Sequence, residues 1–96
     1  MRRNVRTAAY RECLQSLPAS IQDLAEAAFW LFVQNPAHPS LRHHELKNTH
    51  AGRHQTGSCV VNVGYQYRAI YVPDGDVNVW YWIGTHQSYN ALVGTK

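Results

Sequence analysis

The stretch YQYRAIYVPDGDVNVWYWIG, residues 65–84, decides the fold. Two runs of β-branched and aromatic residues flank PDGD, whose proline, aspartates and glycine supply the backbone angles of a tight turn. The reading is an antiparallel hairpin. Just upstream, SCVVNVG, residues 58–64, has the same character and ends on a glycine, so a third antiparallel strand joins the pair.

Strand periodicity divides these runs into faces. In the last run Val77, Val79, Tyr81 and Ile83 share one side, expected against helices, while Asn78, Trp80 and Trp82 share the other. A chain extended through Gly84 puts His86 with the two tryptophans. In the middle run Arg68 sides with Gln66, Ile70 and Val72, opposite Tyr65, Tyr67, Ala69 and Tyr71.

The first third of the chain reads as helix. After a basic opening suited to an edge strand, Tyr10, Cys13, Leu14 and Leu17 recur at three- and four-residue steps, which predicts one short helix. Pro18 interrupts it, and Ser20 with Asp23 resembles a capping pair, so a second helix starts near Pro18 to Ser20 and runs to about Gln34. Its apolar set is Ile21, Leu24, Ala25, Ala28, Leu31 and Phe32, and NPAHP stops it. Residues 41–57 are polar, rich in histidine and without a clear period, which predicts an ordered loop. The expected architecture is a single α+β domain over residues 1–96: an N-terminal helical hairpin packed on one face of a small, mainly antiparallel sheet.

Composition narrows the class of function. With 45% hydrophobic and 16% charged residues the chain is a folded globule, not a disordered tail. A formal charge of +3 and a pI near 9.1 lean toward an anionic partner. Cys13 and Cys59 have no CxxC spacing, which disfavours a disulfide framework and predicts a reducing, cytoplasmic setting. The longest apolar run is too short to cross a bilayer, so no membrane association is expected.

A helical hairpin, then NPAHPSLRHHELKNTHAG, then VGYQYRAIYV, then VNVWYWIGTHQSYNAL resembles the RelE/ParE superfamily of type II toxin–antitoxin toxins over residues 17–92. The order and spacing of the pieces carry the likeness, not any one motif. The resemblance implies either an endoribonuclease that cleaves messenger RNA, free or on the ribosome, or a ParE-like poison of DNA gyrase that is no enzyme; a toxin-fold interaction protein without activity is a third reading. It also implies a cognate antitoxin as partner. A central basic cluster thinned to Lys47, Arg53 and Arg68 favours the YafQ- and HigB-like branch.

Metal-independent RNA cleavage uses the substrate's 2′-hydroxyl as nucleophile, and the protein moves protons and stabilises a phosphorane. His86 matches the histidine of the GTH ending of YafQ-like relatives, and an imidazole's ordinary pKa of about 6.5 suits either proton role. Arg68, matching the superfamily's strand arginine, is the phosphate ligand, because a guanidinium fork binds phosphate oxygens in pairs; an ion pair with Asp74 or Glu45 is its bland alternative. By likeness to HigB, His54 is the second candidate for acid or base, with Lys47 and Arg53 supporting. Tyr89 shares a helical face with His86 if a helix begins there, and stacks a base, orients the imidazole or simply packs. Trp82, with Trp80 and Tyr67, forms a platform for bases or for an antitoxin helix. His50 and His54 have helical metal-ligand spacing, but no third ligand is indicated, so no metal or other cofactor is expected.

Overall fold

Thr7 ties the N-terminus to the middle of the sheet. In a computed structural model that describes residues 2–47 and 52–94, β1 (Arg3–Arg6) lies parallel to β5 (Val77–Thr85). The Thr7 amide and hydroxyl both donate to the Trp80 carbonyl, and the Thr7 oxygen accepts the Tyr10 amide as N-cap of α1 (Ala8–Gln15). α2 (Ala19–Gln34) follows directly. Its N-cap is Pro18, with no side-chain cap, so the expected Ser20–Asp23 pair does not form: Ser20 already lies inside the helix.

The sheet has five strands in the order β1-β5-β4-β3-β2, with β2 (His44–Glu45), β3 (Cys59–Val63) and β4 (Tyr67–Asp74) antiparallel to their neighbours. The three expected strands are present. The basic opening forms the edge strand it suits, and the histidine-rich segment, expected as a loop, adds a second short edge strand at the other side. A 3₁₀ turn, Pro39–Leu41, leads into that segment, and its Leu41 is buried.

β4 alternates as expected: Tyr67, Ala69 and Tyr71 pack with the helices, and Ile70 packs on the other face. β5 does not. Ile70 pairs with Trp82 but Tyr71 pairs with Trp80, so Tyr81 is an extra, bulged residue and the period slips by one. Trp80, expected on the outer face, is therefore 1% exposed in the helix-side core with Tyr10, Phe29, Phe32 and Ile83. Tyr81 moves to the other face, where its hydroxyl meets Ser58 at 2.7 Å and accepts the Gln55 amide. The stripe of α2 is also rotated from the expected one: Ala25, Phe29 and Phe32 are its buried residues, and Leu24 is exposed. Each large side chain so buried contributes about 1.5–3 kcal/mol.

The second face is covered rather than open. α3 (His86–Val93) begins at the residue after β5, capped by the Thr85 hydroxyl, which accepts the Ser88 amide, and closed by Gly94 at φ 77°. Its Val93, Leu92 and Tyr89 pack over Leu46, Val60, Ile70, Tyr81 and Trp82. No helix among the described residues is long and apolar enough to cross a membrane.

Candidate active site

The end of β5 and the start of α3 are one continuous device. Gly84 permits it: a Cβ there would lie 2.7 Å from the Trp82 ring, so only glycine lets the indole fold under the strand end. The His86 amide donates to the Gln66 carbonyl at 2.6 Å, which pins the first residue of α3 to the β3–β4 turn. Its ring stacks on Tyr89 with centroids 6.2 Å apart and planes 19° from parallel. Burial pushes the Tyr89 phenol up from its ordinary pKa, against the pull of Arg68, so it stays a neutral donor near pH 7.

Arg68, in β4, lies across from Gly84 of β5 on one side and Asn62 of β3 on the other. Neither Asp74 nor Glu45 pairs with it. One guanidinium nitrogen, Nη1, donates to the carbonyls of Tyr67 at 2.8 Å and Tyr65 at 3.2 Å, which fixes the fork and leaves its other donors for a ligand. Burial lowers its pKa most, Tyr89 opposes that, and the like charge of Arg42 adds to the lowering.

Arg68, His86 and Tyr89 line one cleft of about 1010 Å³, together with Arg42, His44, Ser40, Asn62 and Tyr65, and with an apolar shelf from α2 of Leu24, Ala27, Ala28 and Leu31. No carboxylate is among the described residues that line it. The single ion pair among the described residues is elsewhere, between Arg6 and Glu26 at 2.7 Å.

Of the other expected site residues, the structure brings none into this cleft. Lys47 borders a separate, smaller hollow with Glu45, Leu46, Thr56 and Gly57. His54 donates from Nε2 to the Lys47 carbonyl at 3.0 Å, and its Nδ1 is buried without a partner among the described residues. Arg53 is exposed, and its amide donates to the Leu92 carbonyl at the far end of α3. Trp82 is half-buried under α3, Trp80 is in the core and Tyr67 packs toward the helices, so these aromatics form no open platform. His50 lies outside the described residues; among those described, no group of three or more histidine, cysteine or acidic side chains is placed to hold a metal.

Sequence reasoning missed Arg42 and His44. Both sit just after the 3₁₀ turn, in a segment whose only readable signal was its density of basic and imidazole groups. The His44 Nδ1 lies 2.7 Å from the Arg42 carbonyl, which can only accept, so Nδ1 carries a proton and, in the neutral ring, the lone pair is left on Nε2. His43 anchors the same segment from beneath: its Nε2 meets the Tyr71 hydroxyl at 2.6 Å, and burial lowers its pKa.

Neither a protein-family model nor a curated protein sequence matches this chain. Solved structures do. YafQ from Escherichia coli BL21(DE3) superposes with a TM-score of 0.71 at 13% identity, over 93% of this chain and 98% of YafQ. A chain of the archaeal RelE–RelB complex from Pyrococcus horikoshii OT3 matches with a TM-score of 0.62 at 17% identity, over 88% of this chain and 93% of that one. The YoeB/ParE toxin from Agrobacterium tumefaciens matches at 0.64 and 13%, over 88% and 98%. The chain thus has the fold of the RelE/ParE toxin superfamily, as its ordered motifs lead one to expect.

Proposed function

We propose that this protein is the toxin of a type II toxin–antitoxin system and acts as a metal-independent endoribonuclease. The observation that carries the reading is the cleft itself: two imidazoles, His44 and His86, and two guanidiniums, Arg42 and Arg68, share it with no carboxylate among its described lining. Such a set complements a polyanion and also supplies the two proton transfers that RNA cleavage needs.

In the proposed reaction the Nε2 lone pair of His44 accepts the proton of the substrate's 2′-hydroxyl. The oxygen attacks the adjacent phosphorus, the bond to the 5′-oxygen breaks, and His86 donates the proton that the leaving oxygen takes up. The products are a 2′,3′-cyclic phosphate and a 5′-hydroxyl. Arg68, its orientation fixed by Tyr65 and Tyr67, stabilises the charge on the phosphorane oxygens. Tyr89 holds the His86 ring by stacking.

The natural partner on this reading is a cognate antitoxin that covers the cleft. Support comes from the similar fold of YafQ, which was solved in complex with DinJ, and of RelE, solved with RelB. Cleavage of free or ribosome-bound RNA by the purified protein in the presence of a chelator tests the activity. His86→Ala is expected to reduce the rate about 10²–10⁴-fold with the fold intact; a folded His86→Ala protein cutting at the wild-type rate removes the reading. The second reading, a gyrase poison, is favoured by the likeness to the YoeB/ParE toxin. It predicts stalled gyrase and broken DNA with transcripts intact.

A further inference from the structure

Arg42 occupies a backbone position that ill suits an arginine. At φ 46° and ψ 40° it is in the left-handed region, the sole described non-glycine residue with a positive φ, at a turn that glycine makes without strain. Such strain costs on the order of 1 kcal/mol and persists where the surroundings over-determine it. Here they do: the Arg42 amide donates to the Pro39 carbonyl at 3.2 Å, its carbonyl takes the His44 ring proton, and the preceding Leu41 is 1% exposed. A flexible surface charge is thereby mounted on a rigid stem at the cleft wall.

Among the described residues the charge has no counter-ion there. No described acidic residue pairs with Arg42, and the cleft lining has none. Arg68 is near enough for its pKa to register Arg42's like charge. Arg68 alone is equipped for one phosphate, since Nη1 is already committed to two carbonyls. At about 1010 Å³ the cleft reaches the upper end of the ~300–1,000 Å³ typical of a small-ligand pocket, so it has room for more than one nucleotide.

We propose that Arg42 binds the phosphate next to the scissile one, making the cleft a two-phosphate seat that selects an RNA strand over an isolated phosphodiester. This rests on the ribonuclease reading above and adds a binding residue to it.

The test measures affinity for a non-cleavable 2′-O-methyl hexanucleotide and for a 2′-O-methyl dinucleotide with one phosphate, across a salt series. Wild type, Arg42→Gly, Arg42→Lys and Arg68→Ala are compared. Glycine fits the left-handed turn, so Arg42→Gly removes the charge without unfolding the loop. It is expected to weaken hexanucleotide binding about tenfold and to reduce the salt slope by about 0.7, with dinucleotide binding unchanged. Arg42→Lys restores the slope. Wild-type affinity and slope in Arg42→Gly, while Arg68→Ala loses both ligands, overturn this inference and leave the ribonuclease reading standing; so does an equal loss of both ligands in Arg42→Gly. A wild-type protein that binds neither ligand overturns both.

Discussion

On the face covered by α1 and α2, the rings of Tyr10, Phe29, Phe32, Tyr71 and Trp80 meet with centroids 4.7 to 6.4 Å apart. At one end of the sheet, where β4 begins and β5 runs into α3, Arg68 and His86 line an open cleft that also takes a wall from α2, and its polar groups are only partly engaged. The first region spends its side chains on mutual contact. The second withholds them: donors and a lone pair are aimed by backbone carbonyls and left free for something else. Stability and reactivity are thus divided between the aromatic core and the cleft at one end of the sheet, and Tyr71 bridges the core, through His43, to the loop that carries Arg42 and His44.

Substitutions in each region test this division. Trp80→Ala empties the centre of the aromatic cluster and is expected to destabilise the fold by about 3–5 kcal/mol in a denaturant titration. A loss under about 1 kcal/mol means the helix-side core is not what holds the protein together. Gly84→Ala forces a Cβ toward the Trp82 ring, 2.7 Å away, and the overpacking is expected to cost about 1–3 kcal/mol. Because Gly84 sits between Trp82 and His86, RNA cleavage should fall further than stability predicts; wild-type cleavage would show that the α3 face tolerates repacking.

The smallest effect concerns the bridge. Burial lowers the pKa of His43, with the Pro36 carbonyl opposing and the like charge of His44 adding to the shift. As pH drops below the imidazole's ordinary value of about 6.5, the unfolded chain takes up a proton that the folded chain resists, so stability falls until the folded-state pKa is passed. His43→Asn should flatten the decline in Tm between about pH 6.5 and pH 5. An unchanged slope assigns the acid sensitivity to other groups.

Strand identity, the faces of β4 and the helical hairpin were legible because each rests on a repeated period. β5 was misphased from a single cause: a bulge at Tyr81 adds one residue, and alternation read from sequence has no means of seeing an insertion that depends on pairing with β4. α3 was raised only as a condition, a helix beginning at His86, because it starts directly after the strand and is short. Arg42 and His44 lie in a segment without period, brought to the cleft by a 3₁₀ turn and a left-handed residue that no propensity announces for arginine. Lys47 and Arg53 were attractive by residue type and His54 by likeness to HigB, and none of the three lines the cleft.

On the proposed reading, His86 and Arg68 act on the same phosphodiester. A double-mutant cycle on single-turnover RNA cleavage, with His86→Ala, Arg68→Ala and the pair, tests it most directly. The prediction is strong non-additivity, the double variant being little slower than the worse single one. Losses that simply multiply, or a wild-type rate in either single variant with its fold intact, contradict the claim.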